Sequence, residues 1–150
     1  MATATAPADL TEMFCFDLYA ASRAVTAFYR PLLADLDLTY PQYLVMAVLW
    51  REQHCSIKEL GDLLRLDYGT LTPLLRRLET HGLVTRKRSS DDERSVTIGL
   101  TVAGAALRRR AGQIQSHLQA ASGLDHGQAA SLQETLRSLT ASVASYNTDR

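Results

Sequence analysis

The chain has 150 residues, of which 46% are hydrophobic and 21% are charged, with 16 basic and 16 acidic side chains. This length suits one compact domain with a substantial core, and the composition excludes an intrinsically disordered chain. No apolar run approaches the ~20 residues of a membrane span, and the N-terminus lacks the features of a signal peptide, so we expect a cytoplasmic protein without a membrane partner. Two cysteines, Cys15 and Cys55, cannot form a disulfide framework, and no cluster has metal-ligand spacing, so we expect neither metal nor cofactor.

The first predicted helix begins at a cap formed by Asp9 with Glu12, or by Thr11 alone, and runs to about Leu33. Pro31 is expected to kink or loosen its last turn. Its apolar side chains recur in alternating steps of four and three, which is typical of a helix with one apolar seam. They are Phe14, Leu18, Ala21, Val25, Phe28 and Leu32.

Two further helices have clear starts. Thr39, followed three residues later by a glutamine, predicts a second helix that ends at about Trp50. Ser56 and the glutamate three residues on form a capping box, which predicts a short third helix to Leu64.

The next helix ends at the pair His81 and Gly82, but its start is open. Pro73 lacks an amide donor and disfavours a regular helix around it. Either Thr70 or Thr72 caps a later start, or Gly69 absorbs the distortion at the end of an earlier one.

A hairpin and two long helices complete the chain. Two segments, Leu83–Arg88 and Arg94–Leu100, are predicted strands joined by a polar turn. Thr101 caps a long helix that Gly123 closes, and Asp125 starts the final helix, which repeats the three-four apolar spacing.

The charge is distributed unevenly along the chain. Residues 1–62 carry 4 basic and 8 acidic side chains, residues 63–110 carry 10 and 5, and residues 111–150 carry 2 and 3. A basic middle between acidic ends indicates an element that binds a polyanion. Arginine makes up 14 of the 16 basic residues, which suits forked contacts to phosphate and guanine.

The order of these elements predicts a mainly α fold with a small β-hairpin, a winged helix-turn-helix between N- and C-terminal dimerisation helices. One domain would span residues 1–150, with dimerisation helices at 9–38 and 101–147 and the DNA-binding region at 39–100. In this arrangement a recognition helix enters the major groove of double-stranded operator DNA and the hairpin reaches the neighbouring minor groove. The expected contacts are Thr70, Thr72, Arg76, Arg77, Arg86, Lys87, Arg88 and Arg94. The alternative is that these charges only keep an exposed surface soluble.

The first and last helices carry long apolar seams with no obvious partner inside the DNA-binding region. Packing within the chain is one explanation. A second subunit is the other, and we expect a homodimer because it would also set two recognition helices on a palindrome.

Cys15 and two tyrosines share a stripe on the first helix. At 100° per residue, Cys15, Tyr19 and Tyr29 fall along one side, next to the apolar seam. Tyr19 is one turn from the cysteine, but Tyr29 is 14 positions away, about 21 Å along a straight helix. Tyr29 therefore cannot contact its own Cys15, whereas an antiparallel partner helix would bring the two together. A buried, unreactive cysteine is the simpler alternative.

Several stretches carry a specific resemblance. They are FCF at 14–16, LTYPQYLVMAVLW at 38–50, KELGDLLRLD at 58–67, GTLTPLLRRLE at 69–79, GLVTR at 82–86 and DERSV at 92–96. On these motifs the chain resembles the MarR family of dimeric winged-helix regulators. Within that family it is similar to the organic-hydroperoxide-sensing repressors of the OhrR type.

The resemblance implies a role for particular residues. Cys15 would be the redox-sensing cysteine, Tyr29 and Tyr40 the phenols from the partner subunit that hydrogen-bond it, and Tyr19 a phenol that joins after oxidation. Asp67 would hold the wing residue Arg94 near the minor groove.

Two positions depart from the family pattern. The two-cysteine branch has a resolving cysteine in its C-terminal helices, but this chain has none after Cys55. It therefore resembles the one-cysteine type, in which a low-molecular-weight thiol captures oxidised Cys15 or the cysteine is overoxidised. Tyr68 stands where relatives tend to carry a smaller polar residue.

These expectations combine into a repressor that binds palindromic DNA when reduced and is released after organic hydroperoxides oxidise Cys15. The oxidant would enter an apolar pocket lined by Phe14, Phe16 and Met46. One alternative is a MarR-type repressor released by a small phenolic or lipophilic ligand. Another is a peroxide-consuming thiol enzyme, which we do not expect because no second catalytic group accompanies the cysteine.

Overall fold

The computed structural model describes residues 9–92 and 95–148. Within these residues a turn of 3-10 helix at Leu10–Glu12 precedes seven α-helices and three strands. The helices are α1 (Phe14–Ala34), α2 (Tyr40–Glu52), α3 (Ile57–Leu64), α4 (Tyr68–Thr80), α5 (Val102–Ala111), α6 (Ile114–Ser122) and α7 (His126–Thr148). The strands are β1 (His54–Ser56), β2 (Val84–Arg88) and β3 (Val96–Leu100).

The predicted starts of the second and third helices are confirmed, and both are capping boxes. Thr39 accepts from the backbone N–H of Gln42, and the Gln42 side chain accepts from the N–H of Thr39 at 3.0 Å. Ser56 and Glu59 make the same reciprocal pair, in which Glu59 accepts from the Ser56 N–H at 2.8 Å. Both helices therefore begin where their caps predict, since each box satisfies two backbone donors that the helix itself leaves unpaired.

The first helix begins later than predicted and ends about where the sequence indicates. Asp9 caps only the short 3-10 turn, where it accepts from Thr11, and α1 itself begins at Phe14 without a side-chain cap. Pro31 lies inside the helix, which continues to Ala34.

The start of α4 corrects the expected cap. Asp67 is the N-cap and its carboxylate accepts from the backbone N–H of Thr70 at 2.7 Å, so neither Thr70 nor Thr72 caps the helix. An aspartate with extended backbone angles at the N-cap can accept hydrogen bonds from the unpaired backbone N–H groups of the first helical turn. Pro73 is then an interior residue of α4, where its missing N–H leaves one helical hydrogen bond unmade.

The sheet has a third strand that the sequence pattern did not reveal. β3 lies between β1 and β2 and pairs antiparallel with both, with Cys55 opposite Ile98 and Arg86 opposite Ile98 on its other side. At three residues β1 is too short to show an alternating pattern, and it forms because β3 offers its free edge.

The predicted long helix from Thr101 to Gly123 is two helices. Thr101 caps α5 by accepting from the N–H of Gly104, as expected, but α5 ends at Ala111 and α6 begins at Ile114. Gly112 follows α5 directly, and glycine is a poor helix former because it loses more backbone entropy than other residues.

The core of the N-terminal unit, described over residues 9–92 and 95–112, lies where α1, α2, α3 and α4 meet. Fully buried side chains from each helix fill it, including Leu33, Met46, Leu60 and Leu75. The turn between α3 and α4 is tight, because Arg65 adopts a left-handed conformation with φ of 54°. This packing fixes α3 and α4 as the two helices of a helix-turn-helix.

The second unit is described over residues 113–148 and contains α6 and α7. Gly123 ends α6 in the left-handed conformation, with φ of 68°. Asp125 and Gln128 form a reciprocal cap at the start of α7, as predicted. The organisation of both units as one domain stays a prediction. In the part of the chain that the structure describes, no helix is both long and apolar enough to cross a membrane.

Candidate functional site

Cys15 lies in the first turn of α1 and is exposed. Its neighbours on the helix include large exposed apolar side chains, among them Phe14 at 68% exposure and Leu18 at 40%. Tyr19, one turn further on, is also exposed, and the guanidinium of Arg23 lies 5.6 Å from its ring centroid. The first half of α1 therefore presents a thiol, a phenol and an apolar surface together, which is unusual for the outside of a lone subunit.

In the second half of α1, Tyr29 stacks against Tyr40, the first residue of α2. Their ring centroids are 4.7 Å apart, and Tyr29 is only 4% exposed. Burial raises the pKa of Tyr29 to about 12, and the nearby Tyr40 and Tyr43 phenols add to this shift. Burial also raises the pKa of Tyr40. Both phenols therefore keep their protons near neutral pH and are able to donate hydrogen bonds.

Tyr43 belongs to the same cluster and was not among the predicted site residues. Its ring centroid lies 5.8 Å from that of Tyr29 and 6.1 Å from that of Trp50. The available signal was its spacing of three from Tyr40, which puts both rings on one side of α2.

A single chain does not bring all of these groups together. Cys15 and Tyr29 stand 14 residues apart on one helix, so about 21 Å of helix separates them. Tyr19 is near Cys15, whereas Tyr29 and Tyr40 are near each other. Each subunit thus carries two separate parts of the predicted redox site.

The predicted apolar pocket is not formed within one chain by the three residues expected to line it. A shallow groove of about 340 Å³ on α1 is lined by Phe16, Tyr19, Ala20, Arg23 and Ala24. Met46 is fully buried in the core, and Phe14 does not line the groove. Met46 faces inward because it lies on the side of α2 that packs into the helical core.

Cys55 occupies a different environment. It is buried at the centre of β1, and burial together with the carboxylates of Glu59 and Glu52 raises the pKa of its thiol to about 11. The thiolate, which is the reactive form, is therefore scarce at neutral pH. This environment agrees with a packed cysteine rather than a resolving one.

The first turns of α4 form the candidate base-reading surface. Thr70 is exposed, but Thr72 is only partly so, and its Oγ1 is buried without a hydrogen-bond partner among the described residues. Arg76 and Arg77 are exposed along the same helix. Among the predicted contacts on α4, Thr72 is therefore the one whose polar atom is hidden.

The hairpin of β2 and β3 is the wing, and its basic side chains differ in exposure. Lys87 and Arg88 are exposed at the end of β2. Arg86 is more enclosed: its Nε lies 3.8 Å from Oε2 of Glu79 on α4, and its Nε and Nη2 are buried without a hydrogen-bond partner in the described part of the chain. Arg86 thus links the wing to the recognition helix.

The predicted pair between Asp67 and Arg94 falls partly outside the described residues, because Arg94 is not among them. Asp67 itself is engaged as the cap of α4, and its hydrogen bonds from Thr70 hold the pKa of its carboxyl below the usual value. The carboxylate therefore stays charged, as an ion pair would require. In the described residues no group of three or more His, Cys, Asp or Glu side chains is arranged to hold a metal ion.

Comparison with known proteins supports this interpretation of the fold. A family model for the transcriptional regulator SarA/Rot matches residues 27–109. The organic hydroperoxide resistance transcriptional regulator of Bacillus subtilis is 53% identical over 102 residues, which are 68% of this chain and 69% of that protein.

Solved structures of DNA complexes are also similar. Reduced and overoxidised AbfR, each bound to DNA, are 32% identical and match with TM-scores of 0.75 and 0.76, over 89% of this chain and 94% of theirs. A mutant of E. coli MarR complexed with operator DNA is 27% identical, with a TM-score of 0.71 over 81% of this chain and 89% of that one. On these matches the chain belongs to the MarR family of winged-helix transcriptional regulators.

Proposed function

We propose that this protein is a dimeric, redox-sensing repressor, which binds palindromic operator DNA when reduced and leaves it after an organic hydroperoxide oxidises Cys15. The observation that carries the redox part is the arrangement along α1, where an exposed thiol shares a stripe with a phenol stacked against a second phenol. The 53% identity to an organic hydroperoxide resistance regulator supports the class of oxidant.

The dimer is a property of the MarR family, and the exposed apolar surface fits it. Large apolar side chains are exposed on α1, and others on α7, where Leu132 and Val143 are about half exposed. A subunit that presents such surfaces on its first and last helices buries them against a second copy. The two α4 helices then meet two half-sites of a palindrome.

The dimer also completes the redox site in this proposal. If the α1 helices pair antiparallel, Cys15 of one subunit lies next to Tyr29 of the partner subunit. The stacked phenols then donate hydrogen bonds to the thiolate, which stabilises the reactive form of the cysteine.

The chemistry consumes one hydroperoxide per thiol. The thiolate sulfur attacks the terminal oxygen of ROOH, the O–O bond breaks, and ROH leaves after protonation of the alkoxide, with Cys15 as a sulfenic acid. A low-molecular-weight thiol then attacks the sulfenic sulfur, which forms a mixed disulfide and releases water.

The mixed disulfide is the form that we propose to leave DNA. It places a bulky group among the interface phenols, and the dimer changes the spacing of its recognition helices as a two-state element. An overoxidised AbfR is bound to DNA, so in that relative overoxidation is compatible with the complex. Overoxidation of this chain is accordingly not the proposed releasing step.

The test is fluorescence anisotropy with the DNA that flanks the protein's own gene, before and after one equivalent of cumene hydroperoxide and excess free cysteine. Wild type should bind, release after oxidation and bind again after dithiothreitol. Cys15→Ser should bind and ignore the oxidant, whereas Cys55→Ser, the matched control, should respond like wild type. Release of Cys15→Ser by peroxide would refute the sensor. Release by a phenolic or lipophilic compound instead, with no need for Cys15, would favour the ligand-controlled alternative.

Mixed dimers test whether the site is shared between subunits. A dimer with Cys15→Ser in one chain and Tyr29→Phe in the other keeps one complete site only if cysteine and phenol come from different chains. A dimer with both substitutions in one chain keeps one complete site only if they come from the same chain. We expect normal Cys15 oxidation in the first mixed dimer and slower oxidation in the second, and the reverse order would refute the antiparallel arrangement.

A further inference from the structure

Tyr68 is the first residue of α4 and one of the most exposed large side chains of the N-terminal unit, at 68% exposure. A helical side chain leans toward the N-terminus of its helix, so the phenol extends past the end of α4. This is the end of a recognition helix that contacts base edges.

The neighbours of Tyr68 leave few other side chains to read a base there. Gly69 has no side chain, and the hydroxyl of Thr72 is buried. Leu71 is 1% exposed and belongs to the core. Among the residues in the first turns of α4, Tyr68 and Thr70 therefore remain as exposed side chains with atoms suited to base contacts.

The ring of Tyr68 is not fixed in the protein core. It borders an open cleft of about 350 Å³ between the starts of α3, α4 and β3, whose other walls include Lys58 and Ser95. Because the ring is exposed to water, covering it with a binding partner would gain free energy in proportion to the apolar area that is buried. In a DNA complex the partner at the tip of a recognition helix is the major groove.

We propose that Tyr68 is a specificity-determining residue, whose ring packs against the C5-methyl group of a thymine in each operator half-site. Apolar side chains read thymine in this way, because it is the only one of the four bases with a methyl group on its major-groove edge. The inference rests on the proposed function, since it requires that α4 enters the major groove. It assigns base recognition to Tyr68 in place of the buried hydroxyl of Thr72.

The experiment begins with a duplex that the reduced wild-type protein selects from a random-sequence library. Each thymine is then replaced singly by uracil, which removes only the methyl group, and the Kd is measured by anisotropy. Burial of one methyl group corresponds to about fourfold in Kd. One thymine per half-site should show this loss with wild type and almost none with Tyr68→Ser.

Two variants separate the ring from other effects. Tyr68→Phe keeps the ring and should keep the response to uracil. If Tyr68→Phe loses the response, the hydroxyl carries the contact and the proposal is wrong. Val102 is the control, because it is also the first residue of a capped helix and its apolar side chain is 91% exposed. Val102→Ser should leave both the affinity for DNA and the response to uracil unchanged.

The experiment distinguishes a failure of the role of Tyr68 from a failure of the proposed function. Equal uracil effects in wild type and Tyr68→Ser at every thymine, with tight binding by both, would overturn the role of Tyr68 and leave the repressor intact. Failure of the wild-type protein to select any duplex would overturn the proposed function and this inference together.

Discussion

Gly104 is a position where the structure permits no side chain. A Cβ built there would lie 2.0 Å from the carbonyl oxygen of Leu83 and 3.0 Å from its carbonyl carbon. Real Cβ atoms essentially never approach another atom closer than 3.0 Å, so the substitution Gly104→Ala must push α5 and the start of the wing apart by about 1 Å.

The hydrogen bonds around Gly104 set the size of the effect. Its carbonyl accepts from the buried indole Nε1–H of Trp50 at 2.9 Å, and the N–H of Thr101 donates to Leu83 at 3.1 Å. Overpacking costs about 1–3 kcal/mol. An unpaired indole N–H costs about 1–3 kcal/mol more, while the better helix propensity of alanine returns up to about 1 kcal/mol. We expect Gly104→Ala to lower the free energy of unfolding by about 3 kcal/mol.

Urea unfolding followed by tryptophan fluorescence measures this directly, because Trp50 is the only tryptophan and contacts Gly104. Protein concentration is held constant, since a dimer gains stability with concentration. Gly112→Ala is the matched control at the other end of α5. Its added Cβ meets nothing closer than 3.5 Å at helical φ, so its stability should be equal or slightly higher. Equal midpoints for the two variants would refute the argument from close packing.

Three further outcomes follow from the charges and burial described above. Burial raises the pKa of Tyr29 from 10.0 to about 12. The protonated phenol therefore contributes fully to the free energy of unfolding below pH 10, and this contribution is lost as the pH rises through 12. Between pH 10 and 12 the free energy of unfolding should therefore fall more steeply in wild type than in Tyr29→Phe, by up to about 1.4 kcal/mol per pH unit. Parallel curves of unfolding free energy against pH for the two proteins would contradict this. Iodoacetamide at pH 8, read by peptide mass spectrometry, should leave Cys55 unmodified until urea unfolds the protein, and early modification would show that its burial is wrong. Arg77→Ala should weaken DNA binding and reduce the slope of log Kd against log salt by about 0.9 for each phosphate that the arginine neutralises in the wild-type complex. Arg86→Ala should reduce that slope less, because its guanidinium faces Glu79, and an equal or larger reduction would place Arg86 on the DNA.

Local signals in the sequence were sufficient for much of the fold. Caps such as Ser56 and Asp125 act within four residues of chain, so they can be recognised without knowledge of tertiary structure. β1 depends on a partner more than 40 residues away, and such pairing leaves no mark in a three-residue segment. The cap at Asp67 was missed because Pro73 suggested a break, whereas the helix tolerates it.

The candidate site was harder to predict than the fold for a geometric reason. A helical wheel groups Cys15, Tyr19 and Tyr29 on one stripe, because this depends only on spacing. It says nothing of Tyr43, whose place depends on how α2 packs against α1. The burial of the Thr72 hydroxyl likewise depends on tertiary packing.

In the proposed mechanism, DNA is released when oxidised Cys15 is converted to a mixed disulfide. The most direct measurement adds cumene hydroperoxide in small steps until Cys15 is fully modified, with free cysteine present, and follows two quantities in the same sample. Peptide mass spectrometry gives the fraction of Cys15 in mixed disulfide, and anisotropy gives the fraction of dimer released. We expect release to rise with Cys15 modification at every step, with Cys55 unmodified throughout. Release of DNA while Cys15 remains a free thiol, or retention of DNA when Cys15 is fully modified, would contradict the mechanism.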